Sequence, residues 1–178
     1  LQAAEGIQAA PLSKLAAEHV SRCDVFVLPQ TRIDGLVGQR EAEVLRKYVA
    51  EGGGLIATHD AVGYRGMPAI IPAVCRGGAE HVRETSWAPA LDHPLTEGIE
   101  CEGGCTHQYY DHVIVQPGDA GLVVAEASDG PVVVCGEQGD GRYVACGMAI
   151  GLAPGDADAA PTGAELRLLL NAVRWCGE

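Results

Sequence analysis

Two short runs that are apolar on both faces, Val25-Phe-Val-Leu-Pro29 and Leu55-Ile-Ala-Thr58, constrain this chain most. A strand with no polar face must be covered on both sides, which is the habit of a buried parallel strand. Between the runs, residues 39–51 read as a helix. Ala42, Leu45 and Val49 recur at helical spacing, Glu43 precedes Lys47 at i, i+4, and Gly52-Gly-Gly54 stops the helix. Strand, helix and strand at this spacing make a βαβ unit. The sequence therefore predicts an α/β fold in which the two strands are parallel neighbours.

The rest of the chain is read against that unit. Residues 113–115, 122–126, 132–135 and 143–148 are strand-like. Gly139-Asp-Gly141 between the last two predicts a hairpin, so those strands are expected antiparallel. A closing helix starts at Thr162-Gly-Ala-Glu165, a capping-box spacing. Leu166, Leu169, Leu170, Val173 and Cys176 are expected on its inner face, with Arg167, Asn171 and Arg174 outside. Residues 13–22 read as a helix with Ser13 as cap, and 7–12 as an edge strand. Segment 60–108 shows no periodicity and reads as irregular. A doubly wound sheet opens with a strand before its first helix, so a first strand is expected upstream of Leu1. At 178 residues, 1–178 reads as a single domain.

The charge removes whole classes of function. Twelve Lys and Arg face 24 Asp and Glu, a net charge of −12. Nucleic acid and anionic lipid both call for clustered cations, so neither is an expected partner, and no apolar run is long enough to span a membrane. The chain has 7 cysteines, an odd number, and they are scattered, several of them inside apolar runs such as Val133-Val-Cys135. That usage predicts buried thiols and a reducing, cytoplasmic setting. Neither G-x-G-x-x-G nor a Walker-type Gly-Lys-Ser/Thr occurs, so no nucleotide cofactor is implied.

Four stretches in this order carry a resemblance: Asp24-Val-Phe-Val-Leu-Pro29, Leu45 through Gly52-Gly-Gly54 to His59, His93-Pro-Leu-Thr-Glu-Gly-Ile99, and Gly139 to Gly147 followed by Leu168 to Trp175. Together they resemble the trehalose-utilisation (ThuA-like) family within the class I glutamine-amidotransferase-like superfamily. The resemblance implies a flavodoxin-like, mostly parallel sheet flanked by helices. It also implies a small-molecule ligand, a carbohydrate derivative. In amidotransferase relatives the turn after the second run holds the nucleophilic Cys. Here it reads Thr58-His59-Asp60, which predicts no glutaminase activity, since the acyl intermediate needs a thiolate.

The same turn makes His59 and Asp60 site candidates. His107-Gln-Tyr-Tyr-Asp-His112 is the densest polar and aromatic cluster, with imidazoles that titrate near neutrality. His59 or His107 is the expected acid or base, oriented by Asp60 or Asp111. Tyr64, His93, Tyr110 and His112 are the expected ligand contacts. His19 and His81 read as surface residues. Cys101-x3-Cys105-x-His107 offers soft donors, but a structural zinc site needs a second pair, so the metal question stays open. Two functional readings remain, with self-association left open in both. One is a domain acting on a small molecule. The other is a catalytically inactive amidotransferase-like module for binding or assembly. An enzyme requires the His and Asp side chains to converge in one cleft.

Overall fold

A computed structural model describes residues 6–12, 15–30, 37–157 and 159–178. The anticipated βαβ unit is present: β1 (Val25–Leu28), α2 (Gln39–Ala50) and β2 (Gly54–Thr58), after a single helical turn, α1 (Ala17–Val20). β1 and β2 pair in parallel from Val25 opposite Gly54 to Leu28 opposite Ala57. Seven further strands follow: β3 (Cys75–Val82), β4 (Ser86–Pro89), β5 (Cys105–Thr106), β6 (His112–Pro117), β7 (Leu122–Ala127), β8 (Gly130–Gln138) and β9 (Gly141–Cys146). The chain closes with α3 (Gly163–Cys176).

The main sheet has seven strands in the order β1-β2-β9-β8-β7-β4-β5, with β3 and β6 forming a separate pair. The expectation of a mostly parallel sheet is corrected here. Only β1–β2 and β2–β9 are parallel, and every other ladder among the described residues is antiparallel. The cause is connection length. Only α2 supplies a covering crossover between neighbouring strands, whereas β7, β8 and β9 are joined by tight turns at 128–129 and 139–140, which permit only antiparallel return.

The sheet is buried on both faces near its centre, and the side chains alternate accordingly. Leu55 and Ala57 of β2, with Tyr143 and Ala145 of β9, join the core under α2, where Ala42, Leu45 and Val49 are buried. Ile56, Val144 and Cys146 join the opposite core, packed with Leu168, Ala172 and Cys176 of α3. This two-sided burial explains why the first two strands read as continuous apolar runs.

Three local expectations fail. Segment 60–108 is irregular only in part: it holds β3, β4 and β5. β3 escapes pattern reading because Cys-Arg-Gly-Gly-Ala-Glu-His-Val has no clean alternation, and its pairing to β6 slips register between Cys75 and Gly77 and again between Gly78 and Glu80. Residues 7–12 form no strand. Ser13, the expected helix cap, lies outside the described residues. α3 is also rotated from its expected stripe. It buries Glu165, Leu168, Leu169, Asn171, Ala172 and Cys176. Thr162 makes no side-chain cap bond. Asn171 turns inward because its Nδ2 donates to the carbonyls of Leu95 and Glu97, at 3.1 and 2.9 Å, which satisfies the buried amide.

Candidate functional site

The parallel strands β1, β2 and β9 end side by side, and ligands of α/β sheets gather at such carboxyl ends. At this edge Thr58 Oγ1 accepts the Gln30 amide at 3.0 Å, tying the end of β2 to the residues after β1. The chain then makes a sharp 3-10 turn, His59–Val62, every residue of which is buried. His59 has φ +48°, in the left-handed region that non-glycine residues enter at a cost of ~1 kcal/mol or more. The turn ends at Gly63, whose carbonyl accepts the Gly78 amide of β3 at 3.2 Å. Gly77 lies so close that an added Cβ would stand 2.7 Å from the Gly63 oxygen. The two glycines let β3 press against the turn. Likewise, a methyl on Gly147 would run into the Val113 carbonyl, so glycine there lets β6 cross the end of β9.

These approaches bring three side chains together from three separate segments. Asp111 is 2% exposed and stands between two imidazoles. Its Oδ1 is 3.1 Å from His59 Nε2 and its Oδ2 is 2.9 Å from His81 Nε2. On the other side of the His59 ring, Nδ1 is 3.1 Å from Asp60 Oδ1. The His59 and His81 rings meet edge to face at 5.7 Å, Tyr109 approaches His59 edge-on at 6.4 Å, and Tyr64 stacks on His81 at 6.5 Å with planes 6° apart. Burial holds His59 below the ordinary imidazole range, against the pull of Asp60 and Asp111.

A second pair lies along the same loop. His107 Nε2 is 3.3 Å from His112 Nδ1, which is also 3.0 Å from the Glu84 carbonyl. A carbonyl only accepts, so the His112 proton sits on Nδ1. Burial, reinforced by the neighbouring His112, pushes His107 down to about 4, and burial lowers His112 as well. The loop is anchored from α3: Glu165, fully buried, accepts the Gln108 amide at 2.9 Å and the Gly151 amide at 3.1 Å. Burial raises the Glu165 pKa against these two bonds.

Of the residues named from sequence, His59, Asp60 and Asp111 are brought into contact, with His107 and His112 as an adjoining pair. Tyr64 touches the cluster through His81. Tyr110 is 42% exposed, accepts the Tyr109 hydroxyl at 3.0 Å and lies under Arg83. His93 is not brought in. It caps the short 3-10 turn Pro94–Thr96, its Nδ1 accepting the Leu95 amide at 3.1 Å, and it packs on Trp175. Sequence reading left His81 at the surface and gave Glu165 to a helix cap, and so missed both as site residues. His81 became visible only once β3 paired with β6, where it lies opposite Val113, two residues past Asp111. The soft-donor reading of Cys101 and Cys105 is corrected: they form a disulfide.

Among the described residues no thiolate serves the turn. Cys146 lies opposite Thr58 in the β2–β9 ladder, but burial pushes its thiol up to about 12 and it donates to the Met148 carbonyl. A separate groove of about 550 Å³ is lined by residues including Glu18, Asp24, Tyr48 and Gly53. It lies at the amino ends of β1 and β2, and the Tyr48 hydroxyl there is spent on the carbonyls of Cys23 and Asp24. The carboxyl-end cluster is therefore the stronger site.

No family model and no curated protein matches the sequence. The fold does have solved counterparts. A cytoplasmic protein from Salmonella typhimurium superposes with a TM-score of 0.64 at 17% identity, over 94% of this chain and 76% of that one. A ThuA-like protein from Bacteroides uniformis gives 0.61 at 14% identity, over 91% of this chain and 72% of the other. A β-galactosidase from Bacillus circulans gives 0.59 at 15% identity, over 88% of this chain but only 23% of the enzyme. The chain thus has a ThuA-like fold, and at these identities the likeness is one of fold alone. No described helix is long and apolar enough to cross a membrane.

Proposed function

We propose that this chain is a ThuA-like domain that binds a small polar molecule, a carbohydrate derivative, at the carboxyl edge of β2 and β9, and that it does not hydrolyse glutamine. The convergence of His59, His81 and Asp111 from three segments carries this reading, because titratable groups buried against one another concentrate at sites of binding and reaction. His59, Asp60 and Asp111 supply the groups that face the ligand. His107 and His112 form the adjoining polar wall, and Tyr64 and Tyr110 offer ring faces to a sugar. His59 occupies the turn where an acyl-transfer nucleophile would stand, and the Thr58 hydroxyl is held by the Gln30 amide. The ThuA-like and β-galactosidase fold counterparts are consistent with a sugar ligand. A cytoplasmic setting fits the five free thiols and the described location of the Salmonella counterpart, while the Cys101–Cys105 disulfide argues the other way.

A second reading, a module that binds or assembles without turnover, is favoured by the missing nucleophile. The two share one first test, thermal unfolding against a panel of neutral, acidic and oxidised sugars. A true ligand at ~100 times its Kd adds ~2.7 kcal/mol, a rise of roughly 5–10 °C for a chain of this size. The Asp111→Asn variant is expected to lose the shift while keeping its fold by circular dichroism. Sugars that shift neither protein overturn the carbohydrate assignment. Turnover of a shifting sugar separates the enzyme from the module. Ammonia release from glutamine is expected to stay at background.

A further inference from the structure

We propose that His59, His81 and Asp111 bind one divalent first-row transition-metal ion of the zinc class, with a coordination position left open toward a small-ligand oxygen. This rests on reading the same cluster as the ligand site, and deepens it.

A neutral imidazole carries one N–H, yet both His59 nitrogens face carboxylate oxygens at 3.1 Å, Asp60 on Nδ1 and Asp111 on Nε2. One of those contacts sets lone pair against lone pair unless a positive charge lies between. His59 Nδ1 and Asp60 Oδ1 are in fact buried and make no hydrogen bond despite their proximity. Asp60 and Asp111 are 5% and 2% exposed, and burying two carboxylates without countercharge is costly. Among the described residues no Lys or Arg pairs with either; Lys47, Arg76 and Arg142 pair instead with Glu51, Asp119, Glu137 and Glu178. A divalent ion balances the two carboxylates.

The geometry suits such an ion. One donor atom each from His59, His81 and Asp111 lie within 4.8 Å of one another. Donors ~2.1 Å from a tetrahedral ion stand ~3.4 Å apart, so a contraction of at most about 1.4 Å in the widest pair completes the set. Two imidazoles with one carboxylate select zinc, iron, cobalt or nickel over magnesium and calcium, which prefer all-oxygen shells. With His59 Nε2 on the metal, Nδ1–H faces Asp60. That is the carboxylate–histidine–metal relay by which an outer carboxylate fixes a ligand ring. Tyr64, stacked on His81, holds the second ring. The His81 side chain is 21% exposed, so the cluster opens to solvent on that side. Three protein ligands with an open fourth position are the pattern of a reactive site, not of a closed structural one.

The test uses metal alone, with no sugar present. The full chain, stripped with chelator and titrated with Co²⁺ and Zn²⁺, is expected to take up one ion per chain. The Co²⁺ form is expected to show visible d–d bands without a thiolate charge-transfer band. His81→Gln changes a half-buried residue and leaves the fold intact, and Asp111→Asn removes the shared carboxylate. Each is expected to weaken binding by at least ~10-fold and to lose the visible bands. Binding absent from the wild type, unchanged in both variants, or accompanied by a thiolate band overturns the proposal. Sugar-induced shifts of the metal-free protein would still support the ligand site, so the two readings fail separately.

Discussion

Protonation at individual imidazoles links the site to stability. His107 is 3% exposed and faces His112 from β6, the Glu84 carbonyl and, further off, Asp111 and His59. Its folded pKa of about 4 lies below the 6.5 of a free imidazole. The unfolded chain therefore binds a proton that the folded chain refuses across that window. His107 contributes full stability above pH 6.5, and loses it as the pH falls through 4. The displacement corresponds to roughly 3 kcal/mol. Urea unfolding of wild type between pH 4 and 7 should show stability dropping with acid, and His107→Leu should flatten that slope. Equal slopes in the two proteins would contradict the assignment. At this scale the sequence revealed the residue types but not their states. His107 and His112 were visible as imidazoles five apart, whereas the burial that keeps them neutral comes with the packing of their loop against Glu84 and Thr85, more than 20 residues away.

At the level of elements, one buried carboxylate joins α3 to the site. Glu165 has the spacing of a capping-box residue, and local rules send it back to the helix start. It points inward instead and accepts two amides, Gln108 in the site loop and Gly151 after β9. Two backbone donors in a dry setting outbid one exposed cap, since stranding a buried N–H costs ~1–3 kcal/mol. Glu165→Gln would turn an amide NH₂ toward one of those donors. We expect a loss of roughly 1.5–3 kcal/mol and faster hydrogen exchange at Gln108 and Gly151. If those two amides stay as protected as in wild type, Glu165 is not the anchor. The helix itself was legible from its leucines. Its rotation was not, because the inward turn of Glu165 and Asn171 depends on backbone groups 57 and 74–76 residues away.

For the molecule as a whole, the charge imbalance sets the response to salt. A net charge of −12 repels itself and opposes compaction. Surface pairs such as Lys47–Glu51 and Arg76–Asp119 pull the other way, but exposed pairs contribute only ~0–1 kcal/mol each. Repulsion is the larger effect, and it is screened as the Debye length shrinks from ~30 Å at 0.01 M salt to ~8 Å at 0.15 M. The melting temperature is expected to rise over that range in sodium chloride. A fall would mean that the ion pairs outweigh the net charge.

Sequence alone determined the βαβ unit, the β8–β9 hairpin and the closing helix, and it pointed to the turn at His59 as a candidate site. Each is written in short-range signals: apolar periodicity, glycine punctuation and turn residues. It also brought His59, Asp60 and Asp111 forward by residue type. Only the tertiary structure decided that the sheet is mainly antiparallel, that Cys101 and Cys105 are a disulfide and that His93 is a cap. Only the tertiary structure brought His81 to Asp111, through a bulged, glycine-rich strand whose pattern is hidden. The physical reason is range. Periodicity reports which face a residue shows to the core, whereas a polar site forms where close backbone contacts, here Gly63 on Gly77 and Gly147 on Val113, bring distant segments within hydrogen-bond distance.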